Sequence, residues 1–205
     1  MCYATFVANE DNDMPPKQKF TKEQITAAAL DITRREGFPA VTARRLGEEL
    51  GTSSRPIFTA FKNMDEVKHE VILAARAVYN NYIEKGLSEE VPFRGVGMQY
   101  FNFAKDEPEL FKLLFMTSDN ALTLADIIPV IDDNSEKILS SLQKPYGLTQ
   151  DNAYRLYQNM WVFTHGFACL CATGVSRLSE DDVISHLTEV FTGLLIKIKS
   201  EANQE

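Results

Sequence analysis

A chain of 205 residues with 44% hydrophobic content holds enough apolar material for a buried core, and room for one large or two small domains. Its formal net charge of -8 argues against a surface that is basic throughout, and no segment approaches the roughly 18 consecutive apolar residues that span a bilayer. Alternating strand-like runs bounded by turn signals are absent while 3.6-residue periodicity recurs, so the expected fold is all-α.

Residues 1–19 are polar, hold Pro15 and Pro16 and show no periodicity, so a flexible arm is expected. The arm lacks a cationic start and turns acidic early, which reads as no secretion signal and hence a cytoplasmic protein. Lys17 and Lys19 would either reach DNA phosphates or the minor groove, or belong to a solvated tail.

From 20 to 70 the chain reads as three short helices and the start of a longer fourth. In the first, Ile25, Ala28, Ala29 and Ile32 keep the i, i+3, i+4, i+7 spacing of a buried stripe. Thr42 is a good N-cap for the second helix, and Val41 before it can meet Leu46 as a hydrophobic staple. Gly51 after Leu50 suits the left-handed residue that closes a helix, which makes Leu50-Gly51-Thr52 a tight turn. Ser53 is then expected to cap the third helix, with Pro56 in its first turn, and Asn63 with Glu66 three residues on to open the fourth. Two short helices across a Gly-containing turn are the pattern of a helix-turn-helix, whose second helix enters the major groove.

Leu46, Leu50, Ile57 and Phe61 are expected to close the small core of this unit. Ser53, Ser54, Arg55, Thr59 and Lys62 stay outside it on the third helix, small donors and cations of the types that meet phosphate oxygens and base edges. Thr42, Arg44 and Asn63 complete the expected contact set, with Arg55 the residue best suited to bond guanine bidentately. Charge supports this division of labour. Residues 15–80 carry 11 Lys or Arg against 8 Asp or Glu, a net +3, whereas 81–205 carry 10 against 18, a net -8. A locally basic face is what phosphate contact needs, provided the acidic body points away from the DNA.

The run 21–67 resembles the DNA-binding domain of the tetracycline-repressor (TetR) family, through Gly51, Ser53, Phe58 and Phe61 in the family's order. The resemblance implies a dimeric, all-helical transcription regulator, usually a repressor released from double-stranded operator DNA by a small-molecule effector. The chain departs from that pattern at Arg55, Phe58, Ala60 and Met64, where the family usually has Gly, Tyr, His and Lys. Loss of those polar contacts keeps open a second reading, a helix-turn-helix-derived module that binds another protein.

The fourth helix is expected over 64–85, with Val67, Val71, Ala74, Ala75, Val78 and Tyr82 inward and Gly86 ending it. Helices at 92–105 and 108–116 are aromatic-rich, and another at 122–142 should bend at Pro129. Two longer helices follow, 149–173 and 179–199, separated by Gly174. The segment MWVFTHGFACLCATG is apolar nearly all round and must be covered all round, by its own core and by a second subunit. With the stripe Val183, Leu187, Val190, Leu194 and Ile198 it would form a homodimer interface from the last two helices. Trp161 with His165-Gly166 resembles the Trp, His-Gly pattern of one C-terminal domain class in the TetR family. The expected division is thus an arm at 1–19, a DNA-binding domain at 20–66 and a ligand-binding and dimerisation domain at 67–205.

Phe101, Phe111, Phe115, Tyr157, Trp161 and His165, with Phe103 and Met116, would either line an apolar ligand cavity or pack the core. Cys2, Cys169 and Cys171 have no metal-ligand spacing, and Cys169 and Cys171 lie two apart on a predicted helix, where they face different ways. They read as reduced, buried thiols, with a redox sensor as the alternative. His69, His165 and His186 are far apart, so no metal site is expected, nor any cofactor. The chain has no Ser elbow, no phosphate-cradling Gly loop and no paired His and carboxylate motif, and an enzyme is not expected.

Overall fold

The computed structural model describes residues 20–116 and 133–203, which hold nine α-helices and no strand. In chain order these are α1 (Lys22–Glu36), α2 (Ala43–Glu49), α3 (Ile57–Ala60), α4 (Met64–Leu87), α5 (Pro92–Asp106), α6 (Pro108–Phe115), α7 (Ser135–Tyr146), α8 (Gln150–Ala172) and α9 (Glu180–Ala202). A single 3-10 turn, Phe38–Ala40, links α1 to α2. The expected arm at 1–19 and the stretch around Pro129 lie outside the described residues.

Most boundaries are fixed by side chains close in sequence. Thr21 Oγ1 accepts from the Gln24 N–H at 3.3 Å while the Thr21 N–H donates to Gln24 Oε1 at 2.9 Å, a reciprocal capping box at the start of α1. Thr42, Asn63, Thr149 and Ser179 each accept from the backbone N–H three residues on, as their positions before apolar periodic runs require.

Two expectations are corrected. Ser53 does not cap α3. Gly51, at φ +62, turns the chain back over α2, so that the Thr52 N–H donates to the Gly47 carbonyl at 2.9 Å. The Ser54 carbonyl then accepts from the Ile57 N–H at 3.1 Å, and α3 starts only at Ile57 with Pro56 before it and no side-chain cap. Gly86 does not end α4 either. It lies inside the helix where α4 crosses α5, and a Cβ there would come within 2.6 Å of the Gly95 carbonyl carbon and the Val96 nitrogen. Gly86 and Gly95 are the small residues that let the two backbones meet.

The core follows the helix stripes with one rotation. Ile25, Ala29 and Ile32 of α1 are buried with Val67, Val71 and Ala75 of α4, but the lower half of α4 buries Tyr79 and Ile83, leaving Ala74, Val78 and Tyr82 half-buried. Tyr79 stands at the centre of an aromatic cluster, its ring edge-on to Tyr100, Phe103 and Phe115 with centroids 6.0, 5.5 and 5.1 Å away. α8 is not covered all round within one chain. Val162 and Leu170 on it are exposed, as are Val175 just beyond it and Ile184 and Ile196 on α9.

Candidate nucleic-acid interface and body cavity

α1, α2 and α3 enclose a small core in which Ile25, Leu46 and Ile57 are fully buried and Phe61 is nearly so. Deleting one of these side chains would cost about 2 to 5 kcal/mol, enough to loosen so small a unit. The polar frame around this core decides which cations are free. Arg45 donates to Glu36 at 2.7 Å and to Glu49 at 2.8 Å, and Arg35 reaches Glu49 at 2.8 Å, a chain of alternating charges joining α1 to α2. The Arg45 guanidinium holds the Glu36 carboxyl below the usual carboxylate range, and Arg35, with Arg45, does the same for Glu49. Arg34 bonds Glu107 through Nε and Nη2, at 2.9 and 3.0 Å, and so ties α1 to the α5–α6 junction. Its charge is reinforced by that carboxylate.

Arg55 and Lys62, on either flank of α3, are exposed and make no ion pair among the described residues. Ser53 is exposed and Ser54 half-buried in the turn before α3, and the Thr59 hydroxyl donates to the Arg55 carbonyl at 3.3 Å. Arg44 projects from α2 with its side chain 91% exposed, held by Glu48 one helical turn on at 3.0 Å. The oxygens of Thr42 and Asn63 are engaged as caps, accepting from the Arg45 and Glu66 N–H groups at 3.2 and 2.9 Å. The Lys62 N–H donates to Glu66 Oε2 at 2.7 Å, which holds that carboxyl below its ordinary range and locks the α3–α4 corner. Phe58 is 47% exposed, so an aromatic ring stands among the polar candidates on α3.

In the body, a cavity of about 290 Å³ opens between α4, α5, α8 and α9 and the end of α7. Tyr157 and Trp161 line it, whereas Phe101, Phe103 and Phe111 are fully buried core residues and do not. Phe115 packs on Tyr79, Tyr100 and Phe111. His165 stacks on Trp161 with centroids 4.8 Å apart, and its Nδ1 lies 2.9 Å from the Tyr100 hydroxyl, itself part of the cavity wall. Burial lowers the His165 pKa, so the ring is neutral at pH 7. Its Nε2 lies 3.3 Å from Cys169 Sγ, and burial pushes that thiol up, away from the thiolate a redox sensor needs. Cys169 and Cys171 are free thiols and half-buried rather than buried.

The sequence reading missed Phe93, Arg94, Tyr146 and Phe191 in the cavity wall. No signal in the sequence marked Phe93 or Arg94, because the α4–α5 crossing that places them is made by Gly86 and Gly95, which only the fold brings together. Among the described residues no group of three or more His, Cys, Asp or Glu is placed to hold a metal ion, and no helix is long and apolar enough to cross a membrane.

No protein-family model matches the chain. Over 190 residues, 88% of this chain and 80% of the relative, it is 24% identical to a Mycobacterium tuberculosis (strain ATCC 25618 / H37Rv) protein named uncharacterized HTH-type transcriptional regulator Rv0681. The likeness therefore covers both the three-helix unit and the helical body that follows it.

Proposed function

We propose that the protein is a DNA-binding transcriptional regulator of the helix-turn-helix type, in which residues 20–66 read DNA and residues 67–205 bind an effector and dimerise. The observation that carries this reading is the placement of Arg55 and Lys62. They stand exposed and unpaired beside α3, while Arg34, Arg35 and Arg45 are consumed by carboxylates inside the fold. A cation held by a neighbouring carboxylate adds little to phosphate binding, whereas a free one displaces counterions from DNA. The likeness to a protein named as an HTH-type transcriptional regulator supports the same conclusion, and the resemblance of residues 21–67 supports placing it near the TetR family.

The homodimer rests on exposed apolar residues of α8 and α9 and not on the expected stripe, of which Val183, Leu187 and Ile198 are buried within the chain itself. Val175 and Ile196 are 73% and 64% exposed, and Val162, Leu170 and Ile184 are exposed as well. Two copies joined there would present two α3 helices to successive major grooves of a palindromic operator, roughly 34 to 36 Å apart. The effector acts as a release signal, occupying the cavity and favouring an arrangement that misplaces the two heads. That makes the protein a repressor.

The test is selection of bound sequences from a random duplex library by the purified protein, with Arg55→Ala run alongside. A recovered palindrome that the variant loses or relaxes is the expected result. No enriched sequence from a dimeric preparation would refute operator binding and turn attention to a protein partner for α3.

A further inference from the structure

We infer that the cavity takes a small organic monocarboxylate, its apolar body held among the aromatic rings and its carboxylate on Arg94. This rests on the reading of the body as an effector domain and names the effector's chemistry.

Size sets the first limit. About 290 Å³ is near the lower end of small-molecule pockets and equals roughly ten water volumes at about 30 Å³ each, so the occupant has on the order of ten non-hydrogen atoms. The wall sets the second. Phe93 lies edge-on to Tyr157 at 6.1 Å and tilted against Phe191 at 5.7 Å, and Trp161 closes another side. Such a wall favours a flat ring or a short alkyl chain.

Charge sets the third. A box of aromatic rings is also the usual receptor for organic cations, but that use needs no cation in the wall and gains from a carboxylate. Here the reverse holds. Among the described residues Arg94, exposed at the mouth, is the one charged side chain that lines the cavity, no Asp or Glu lines it, and Arg94 makes no ion pair. In a chain of net charge -8, a cavity whose sole charge among the described residues is an unpaired guanidinium at its mouth selects an anion. A single guanidinium matches a single carboxylate bidentately and leaves no partner for a second charge. Gly97 lines the same space, and a Cβ there would meet only Leu187 Cδ1 at 3.8 Å, so the gap beside it is real room rather than a packing contact.

The chain reports its own occupancy, because Trp161 is its single tryptophan and forms part of the wall. Octanoate and phenylacetate are titrated against the full-length protein by Trp161 fluorescence and calorimetry, each beside its uncharged amide and beside the amine of matching length. Each acid is expected to bind about tenfold or more tightly than its amide, the margin of one charge-assisted contact, with the amine weakest. Arg94→Gln should erase the margin between acid and amide, Arg94→Lys should restore part of it, and Gly97→Leu should fill the cavity and abolish the response to both. Equal binding of acid and amide, preference for the amine, or no response to either acid up to about 10 mM with the folded protein overturns the proposal. Operator selection on the same preparation separates the two readings. Selection of a palindrome without acid binding leaves the regulator standing and removes this ligand class. Arg94-dependent acid binding without any selected DNA does the opposite.

Discussion

Gly86→Ala is the sharpest single test of how the body is built, because it adds one methyl group at the place where two helix backbones meet. The added Cβ would lie 2.6 Å from both the Gly95 carbonyl carbon and the Val96 nitrogen. These are backbone atoms of a helix and cannot turn aside as a side-chain end would. α4 and α5 must therefore separate by the better part of an ångström along their contact, and the rings packed below the crossing lose part of their dispersion contact. Overpacking of this kind costs about 1 to 3 kcal/mol, and the backbone clash puts it at the upper end. Alanine regains about 1 kcal/mol of helix propensity over glycine, leaving a net loss of about 2 kcal/mol. For a chain of this length that corresponds to a fall of roughly 4 to 8 °C in Tm. Gly97→Ala, on α5, is the control. Its Cβ makes an ordinary 3.8 Å contact with Leu187, so the propensity gain stands alone and Tm should rise by about 2 to 4 °C. Thermal unfolding followed by circular dichroism at one fixed protein concentration reads both. If Gly86→Ala melts at or above Gly97→Ala, the close approach of α4 and α5 is wrong and the cavity geometry beside it falls too.

Three other outcomes are expected. Asn63→Ala removes the oxygen that accepts from the Glu66 N–H at 2.9 Å and should cost about 1 kcal/mol, seen as faster amide exchange in the first turn of α4 while the second half of the helix is unchanged. His165 has a pKa lowered by burial, so between that value and about 6.5 the unfolded chain binds a proton that the folded chain refuses. Its contribution is present above about pH 6.5 and lost as pH falls through that window; the fall in Tm from pH 7.5 to 5.5 should be shallower in His165→Gln, and parallel curves would show that the ring is solvated. Under the proposed dimer, Ile196→Glu replaces an exposed apolar side chain of α9 by a charge and should weaken self-association at least roughly tenfold in sedimentation equilibrium; unchanged self-association would place the interface elsewhere.

Much of the fold was legible because its punctuation is local. Thr42, Asn63, Thr149 and Ser179 announce their helices by a hydrogen bond to a residue three positions on, and a contact of that range is written in four letters of sequence. What could not be read was decided by groups distant in the chain. Ser53 has the chemistry of a cap, but Gly51 folds the turn onto Gly47 and delays α3 by several residues. Gly86 looks like a stop signal, and only the approach of Gly95 shows that its missing side chain serves a helix crossing. The cavity failed for the same reason. Periodicity says that Phe101 and Phe111 point inward, as they do, but whether a ring meets another ring or an empty space depends on where α8 and α9 lie. Beside α3, Arg55 and Lys62 were legible as exposed cations, while the pairing of Arg35 and Arg45 that singles them out needed the folded charge chain.

Under the proposed reading, the route from effector to DNA is a question of which contacts yield. Tyr79 lines the cavity and Asn63 caps the same helix at its other end, 16 residues earlier, a span of roughly 24 Å along α4. The head is fixed to α4 by a fully buried apolar seam in which Ile25, Ala29 and Ile32 share the core with Val67, Val71 and Ala75. It meets α6 less extensively, through packing of α1 and the 3-10 turn against that helix and through Arg34 and Glu107, a pair at the edge of solvent whose side chains remain 35% and 19% exposed. Opening the seam would cost several kcal/mol, whereas a partly exposed ion pair contributes about 1 kcal/mol or less. A displacement of Tyr79 by a ligand therefore carries α1, α2 and α3 along with α4 and is taken up at α1 against α6. Coupling of about 1 to 3 kcal/mol, the usual range between an effector and its distant site, falls short of what opening the seam would demand, so the contact that yields is the smaller one between α1 and α6.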